Sequence, residues 1–373
     1  MTVLESEILR RINNVQQKMA AAALDAYVIT DAEDIWYLTN INYSPEQRPF
    51  FFILFQNRKP LFIVPKLEEA HVEVPYFEYE IEPYFDVTAR AGENWFEVLA
   101  KRLANEKQVG IEDNAQLFIT QQVAAPKWSA KSFVKQTREI KSEYELEKIK
   151  VTAQLCSDVL NKTLQIAKTG TTIAEVYMLP YQLKGAVIKQ NFSITNRITN
   201  CVWNADYSFM PHSIPAMDSV IKAGPNIDIS IFKLAGYAAE CERTFFTEEP
   251  SAQEKEHFEQ MMAARKVMLQ MLRPGVKAAA IEEAVLNSLK ADGVAERVLH
   301  RPGHGIGLNN HEEPTLSLGN ETELKENMVV SVEPGIYFDG QGGYRHSDTV
   351  RITKDGYEFY TQAPTELKDL ILK

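Results

Sequence analysis

The chain has 373 residues, 45% of them hydrophobic and 24% charged, and a net charge of −11. That length is more than one core usually serves, so two domains are expected. The acidic balance and the lack of a basic run exclude nucleic acid as a partner, and no apolar run approaches the roughly 18 residues that would make a membrane span.

The N-terminus, residues 1–9, carries acids and no apolar core, so no signal peptide is expected there. Ile8, Ile12, Val15 and Met19 recur at helical spacing and predict a helix over 5–23. Residues 25–30 read as a buried strand, and 50–55 and 60–65 as two more around the turn-like 56–59. A further strand is expected at 109–113. This alternation suggests a first α/β domain over 1–135.

A long charged helix over 139–167, with Leu146, Ile149, Ala153 and Val159 on one side, opens a second domain over 136–373. It continues as a helix at 173–190, strands at 193–203, 226–233 and 236–245, helices at 251–271 and 278–291, and a strand-rich end over 327–360. Lys233-Leu234-Ala235-Gly236 is a plausible hairpin turn. The fold class is therefore α/β (α+β) in two domains. Cys156, Cys201 and Cys241 lack CxxC spacing, which disfavours a disulfide framework or a thiolate zinc site and favours a reducing, cytoplasmic setting.

Glycines at 303, 305 and 307 suit a tight path where backbone approaches a site. Around them stand five ordered motifs: Pro211-His212, Glu242-Arg243-Thr244-Phe245, Gly303-His304-Gly305-Ile306-Gly307-Leu308, Val332-Glu333-Pro334-Gly335 and Tyr344-Arg345. Together they resemble the pita-bread fold of creatinases, Xaa-Pro dipeptidases and methionine aminopeptidases. The first 135 or so residues resemble the N-terminal domain that creatinases and prolidases share.

The resemblance implies two metals held by two Asp, one His and two Glu. Counting along the motifs puts those positions at Ser230, Glu240, His304, Glu333 and Ser347. A serine hydroxyl is not ionised at neutral pH and is a poor ligand. Asp228 lies two residues from Ser230, about 7 Å along the strand, too far for a metal–oxygen bond of about 2 Å. No metal and no other cofactor is therefore expected to be bound tightly.

Creatinases are the relatives that work without metal, and Glu242 takes the place of their substrate-binding glutamate. The resemblance then implies a metal-independent hydrolase of a C–N bond in a small guanidino, amidino or ureido compound. His212 would be its acid/base, with Glu242 and Glu333 completing the catalytic set. Arg48, Glu240, His304, His311, Arg345 and His346 are the expected substrate-binding residues. His346 stands where creatinases carry a second glutamate, which sets creatine itself apart. Arg48 resembles an arginine that reaches the partner subunit's site, so a homodimer is implied. His71, His257 and His300 have no supporting motif and read as surface or structural.

Two other readings stay open. One is a divergent Xaa-Pro dipeptidase with a single metal at Glu240, His304 and Glu333, supported by His311 in a His-Glu-x-Pro sequence. The other is a binding module without catalysis.

Overall fold

The structure is a computed structural model that describes residues 2–42, 47–123, 127–182 and 196–372. It divides into two compact units, Met1–Arg138 and Glu139–Lys373.

The first unit is a six-stranded sheet with helices. Its elements are α1 (Val3–Ala21), β1 (Ala26–Ile29), α2 (Ala32–Thr39), β2 (Phe51–Phe55), β3 (Leu61–Pro65), β4 (Glu80–Tyr84), α3 (Trp95–Leu103), β5 (Gln108–Glu112), α4 (Leu117–Gln122), β6 (Lys127–Lys131) and α5 (Phe133–Arg138). Helix α1 starts at Thr2, whose hydroxyl accepts from Glu5 N–H while Glu5 reaches back to Thr2 N–H. It buries the four apolar positions that its spacing singled out. The sheet order is β4-β3-β2-β1-β5-β6, with β1, β5 and β6 mutually parallel and β2 antiparallel to both its neighbours. Strands β1, β2 and β3 are buried at every residue, which is why they read as continuous apolar runs.

The second unit holds α6 (Glu143–Ile166), α7 (Ile173–Tyr177), α8 (Leu179–Gln182), β7 (Arg197–Trp203), β8 (Asn226–Leu234), β9 (Tyr237–Phe245), α9 (Ala252–Met271), α10 (Ala278–Ala291), β10 (Val329–Ser331), β11 (Gly335–Phe338), β12 (Gly342–Arg345), β13 (Ser347–Ile352) and β14 (Tyr357–Phe359). The helix expected over 173–190 is two short helices as far as Gln182, and 183–190 lies outside the described residues, as does 193–195 of the next strand. The main sheet runs β10-β13-β9-β8-β7, with β14 on β13, and α6 packs on β8 and β9. The β8–β9 hairpin turns on Ala235 and Gly236, both at positive φ (48° and 86°), as the twist of a two-residue hairpin requires. Among the described residues no helix is long and apolar enough to cross a membrane.

Candidate active site

Strand register decides which side chains meet. In the antiparallel β8–β9 pair, Ile229 lies opposite Glu242, Ile231 opposite Glu240 and Ser230 opposite Cys241. Opposed residues share a face and neighbours alternate. Glu240 and Glu242 therefore share their face with Ile229 and Ile231. Ser230 and Asp228 lie on the other face, where Ser230 Oγ donates to Asn200 Oδ1 at 2.6 Å. This corrects the count along the sequence: a carboxylate at 230 would point away from Glu240, and the face that it was meant to serve carries isoleucines.

Ser347 does reach the site. It pairs with Glu242 across β9–β13, and its hydroxyl donates to Glu240 Oε1 at 2.6 Å. Asn310 Nδ2 donates to Glu240 Oε2 at 2.6 Å. Both Glu240 oxygens are thus held by neutral donors.

His304 is fixed by its backbone path. A Cβ at Gly303 would stand 2.4 Å from Ser331 O, and one at Gly305 would stand 2.2 Å from Glu313 O, so only glycine fits on either side. His304 N–H donates to Ser331 Oγ at 3.0 Å, and its Nδ1–H donates to Gly305 O at 3.1 Å. That leaves Nε2 facing Glu333 Oε1 at 3.0 Å and Glu240 Oε1 at 3.8 Å. His311 meets His304 edge to face, with ring centroids 4.1 Å apart. The His311 loop is pinned by Glu312, which pairs with buried Lys141 at 3.0 Å and fills the space a Cβ on Gly307 would need.

Charge follows this geometry. Burial alone would lower His304, but the Glu333 and Glu240 carboxylates override it and raise its pKa to about 9. Burial would raise Glu333, yet the charge and hydrogen bond of His304 take it down to about 2. Glu240 is raised by burial, with His304 pulling the other way. His311 falls to about 4 through burial and the neighbouring His304 charge.

A second network adjoins the first. Glu242 is buried and forms a two-point ion pair with Arg345, Nη2 to Oε1 at 3.1 Å and Nε to Oε2. Arg345 Nη1 donates to Tyr337 Oη at 3.1 Å, Tyr337 Oη lies 2.7 Å from His300 Nε2, and the guanidinium stacks over Trp203 at 5.0 Å. Glu242 already holds an internal cation and does not stand open to one from a substrate. His346 is not brought to the centre either. It alternates with Arg345 and Ser347, so its ring turns the other way and packs on Phe258 of α9 at 5.3 Å. Burial, with Arg243 and Arg265 beside it, keeps it neutral.

His212 is exposed and lines a cavity of about 580 Å³ with Phe209, Met210, Leu299, Tyr337 and Asp339. Arg48 belongs to the first unit, where it pairs with Asp86 at the edge of a cavity of about 220 Å³. Reading the sequence missed Asn310 and the link from His300 to Tyr337. Neither has a local signal: each acts on a residue 37 or more positions away.

Residues 147–354, more than half of the chain, match the description Metallopeptidase family M24. The chain belongs to metallopeptidase family M24. Residues 11–142 match the creatinase/prolidase N-terminal domain. Among its relatives, a provisional dipeptidase of Bacillus subtilis, YkvY, is 29% identical over 98% of this chain and 100% of its own. An uncharacterized peptidase of Staphylococcus aureus is 29% identical over 95% of this chain and 98% of its own. The dipeptidase PepE from Mycobacterium ulcerans superposes with a TM-score of 0.85 at 24% identity, over 99% of this chain and 98% of its own. The prolidase from Pyrococcus horikoshii gives 0.82 at 24% identity, over 96% and 99%. The N-terminal domain of the FACT complex subunit SPT16 from chickpea gives 0.78 at 14%, over 98% of both chains, which shows the fold alone.

These relatives overturn the expectation of a metal-independent, creatinase-like hydrolase of guanidino compounds, because family M24 and the names around it are those of peptidases. The locked Glu242–Arg345 pair is the physical counterpart, since it removes the carboxylate that was to clamp a guanidinium.

The site also fits one metal better than two. Glu240, His304 and His311 present ligand atoms within 4.8 Å of one another, and Glu333 adds a second carboxylate at His304 Nε2. Two imidazoles and carboxylate oxygen suit a divalent transition ion. The Gly305 carbonyl holding Nδ1–H is the outer contact that aims Nε2 at such an ion. A second ion finds Ile229, Ile231 and Ser347 in place of carboxylates, so the dinuclear set does not fit.

Proposed function

We propose that the chain is a dipeptidase of the Xaa-Pro type, hydrolysing the peptide bond of a small substrate at the Glu240–His304–Glu333 centre. The convergence of Glu240, His304 and His311 ligand atoms within 4.8 Å carries this reading. The dipeptidase and prolidase names of the relatives support it.

One divalent ion bound there supplies a Lewis acid and a more acidic water. The chain's own residues do the rest. Glu240 is kept in one orientation by Ser347 and Asn310. His311, neutral through its lowered pKa, offers an imidazole nitrogen beside His304. His212 is exposed at the neighbouring cavity, where a histidine suits proton delivery to a leaving amine. Tyr337 lies between that cavity and the Glu242–Arg345 pair and fixes the wall between them.

The test is hydrolysis of Xaa-Pro and other dipeptides by protein reconstituted with manganese, zinc or cobalt, with a chelator control. Cleavage abolished by chelator is expected. Absence of turnover with every metal would favour a second reading, a binding module, for which the isoleucines opposite Glu240 and Glu242 and the hydroxyl at Ser347 are the supporting observation.

A further inference from the structure

Three segments build the cavity of about 580 Å³ beside the centre. The loop after β7 brings Phe209, Met210 and His212. The segment after α10 brings Glu296, Arg297 and Leu299, and β11 with its turn brings Tyr337 and Asp339. Backbone contacts hold these walls together. Gly343 N–H donates to Ser208 Oγ at 3.0 Å. A Cβ at Gly342 would stand 2.2 Å from Pro225 Cγ, and one at Gly343 would stand 2.2 Å from Ser208 O, so the β11–β12 hairpin is locked against the Phe209 loop. Trp203 Nε1–H donates to Ser213 O at 2.5 Å and ties down the far end of that loop.

Tyr337 joins the cavity to the centre. Its ring is part of the wall, and its hydroxyl accepts from Arg345 Nη1 at 3.1 Å. The same hydroxyl lies 2.6 Å from where a Cβ on Gly335 would stand, two residues along the chain from Glu333.

The lining is apolar with a few charges. Met210 and Leu299 leave apolar surface open to solvent there. Glu296 and Arg297 pair at 3.7 Å, and the Arg297 guanidinium also lies over the Phe338 ring at 5.4 Å. Asp339 is exposed at the rim and has no hydrogen-bond or ion-pair partner among the described residues. An apolar cavity of this size with one uncompensated carboxylate is selective for what fills it, because the polar group fixes the sign of the charge accepted.

An Xaa-Pro dipeptide offers two side chains. The proline ring is short and carries no group that a carboxylate binds. The N-terminal side chain is the one that varies in length and charge. A lysine or arginine lays a methylene stem on apolar surface and keeps its charged head in water. We propose that the cavity receives the N-terminal side chain of the substrate and that Asp339 makes the enzyme prefer lysine or arginine there. The stem lies along Phe209, Met210 and Leu299, and the head meets the Asp339 carboxylate, which repels an acidic side chain in the same place. This rests on the dipeptidase reading and names the substrate class of that site.

The experiment compares L-lysyl-L-proline, L-norleucyl-L-proline and L-glutamyl-L-proline on the metal-loaded enzyme and on Asp339→Asn and Asp339→Lys. Lysine and norleucine share a four-carbon stem and differ in the charge at its end. The wild type is expected to favour lysine over norleucine by roughly 2- to 5-fold in kcat/KM, chiefly through KM, the range of an exposed ion pair, with glutamate the poorest. The preference should shrink towards one in 1 M sodium chloride, where the screening length is about 3 Å. In Asp339→Asn the lysine-to-norleucine ratio should fall to one or below, and in Asp339→Lys glutamate should overtake lysine. A wild type that does not favour lysine, a preference that salt leaves unchanged, or an Asp339→Asn variant with the parent ratio overturns the proposal. If no dipeptide is cleaved with any metal, the dipeptidase reading fails, and the cavity is read by calorimetry with L-lysinamide and L-norleucinamide. Tighter binding of L-lysinamide that disappears in Asp339→Asn supports the role of Asp339; equal or absent binding in the wild type sinks it.

Discussion

Ser347 Oγ lies 2.6 Å from Glu240 Oε1 and donates a hydrogen bond to it. A neutral hydroxyl therefore occupies the side of Glu240 where a second carboxylate would be needed to hold a second cation. Manganese titration followed by metal analysis is expected to saturate at one ion per chain. Two ions per chain would show that the centre recruits ligands other than those that face Glu240. In Ser347→Glu two carboxylates share one buried site, which is costly unless a cation joins them. Its melting temperature without metal should drop and recover more steeply with manganese than the parent's.

The stability of metal-free protein should fall as pH rises from 6.5 through 9, the window set by His304. His304 has its folded pKa raised from 6.5 to about 9, so the stabilisation of its imidazolium by Glu333 is complete below 6.5 and is lost as pH rises through 9. Glu333 has its pKa lowered from 4.5 to about 2, so its share is present above 4.5 and is lost as pH falls through 2. His311, lowered from 6.5 to about 4, favours the fold only while neutral and costs stability as pH falls from 6.5 towards 4. Melting curves taken in chelator from pH 4 to 9.5 test this; a flat melting temperature between 6.5 and 9.5 contradicts the His304 pairing.

Glu242→Gln is expected to destabilise the fold. The change leaves the buried Arg345 guanidinium without its carboxylate, and breaking a buried ion pair from one side costs about 3–5 kcal/mol. Chemical denaturation of the variant measures it. Unchanged stability would mean that Tyr337 and solvent satisfy Arg345 unaided.

His212→Ala should behave in the opposite way. The residue is exposed, so folding should be untouched, while turnover should fall by about 10²–10⁴-fold if it moves the proton that the leaving amine takes. A variant as active as the parent assigns that proton to another group.

Arg48 is proposed to complete the site of a second subunit in a homodimer. Its pair with Asp86 is exposed and worth no more than about 1 kcal/mol, so Arg48→Ala should leave the melting temperature nearly unchanged. Activity should fall, and light scattering of the parent should give a dimer. A fully active monomer contradicts the proposal.

The α/β class, most strands of the first unit and the family were legible in the chain itself. Burial on both faces writes continuous apolar runs such as 51–55, and the motifs around His304 and Glu333 keep a fixed order along the sequence. Those motifs also supplied Glu240, His304, Glu333 and His311 as candidates. The sequence did not determine which neighbours share their face. Along a strand the side chains alternate, so an error of one residue moves a ligand position from Ser230 to Ile229 and from one side of the sheet to the other. The same alternation separates His346 from Ser347. The pairing of Glu242 with Arg345 joins residues 103 positions apart, and the hold of Asn310 on Glu240 joins residues 70 apart. Local pattern has no term for such distances. Strand register and loop closure alone brought these charges together.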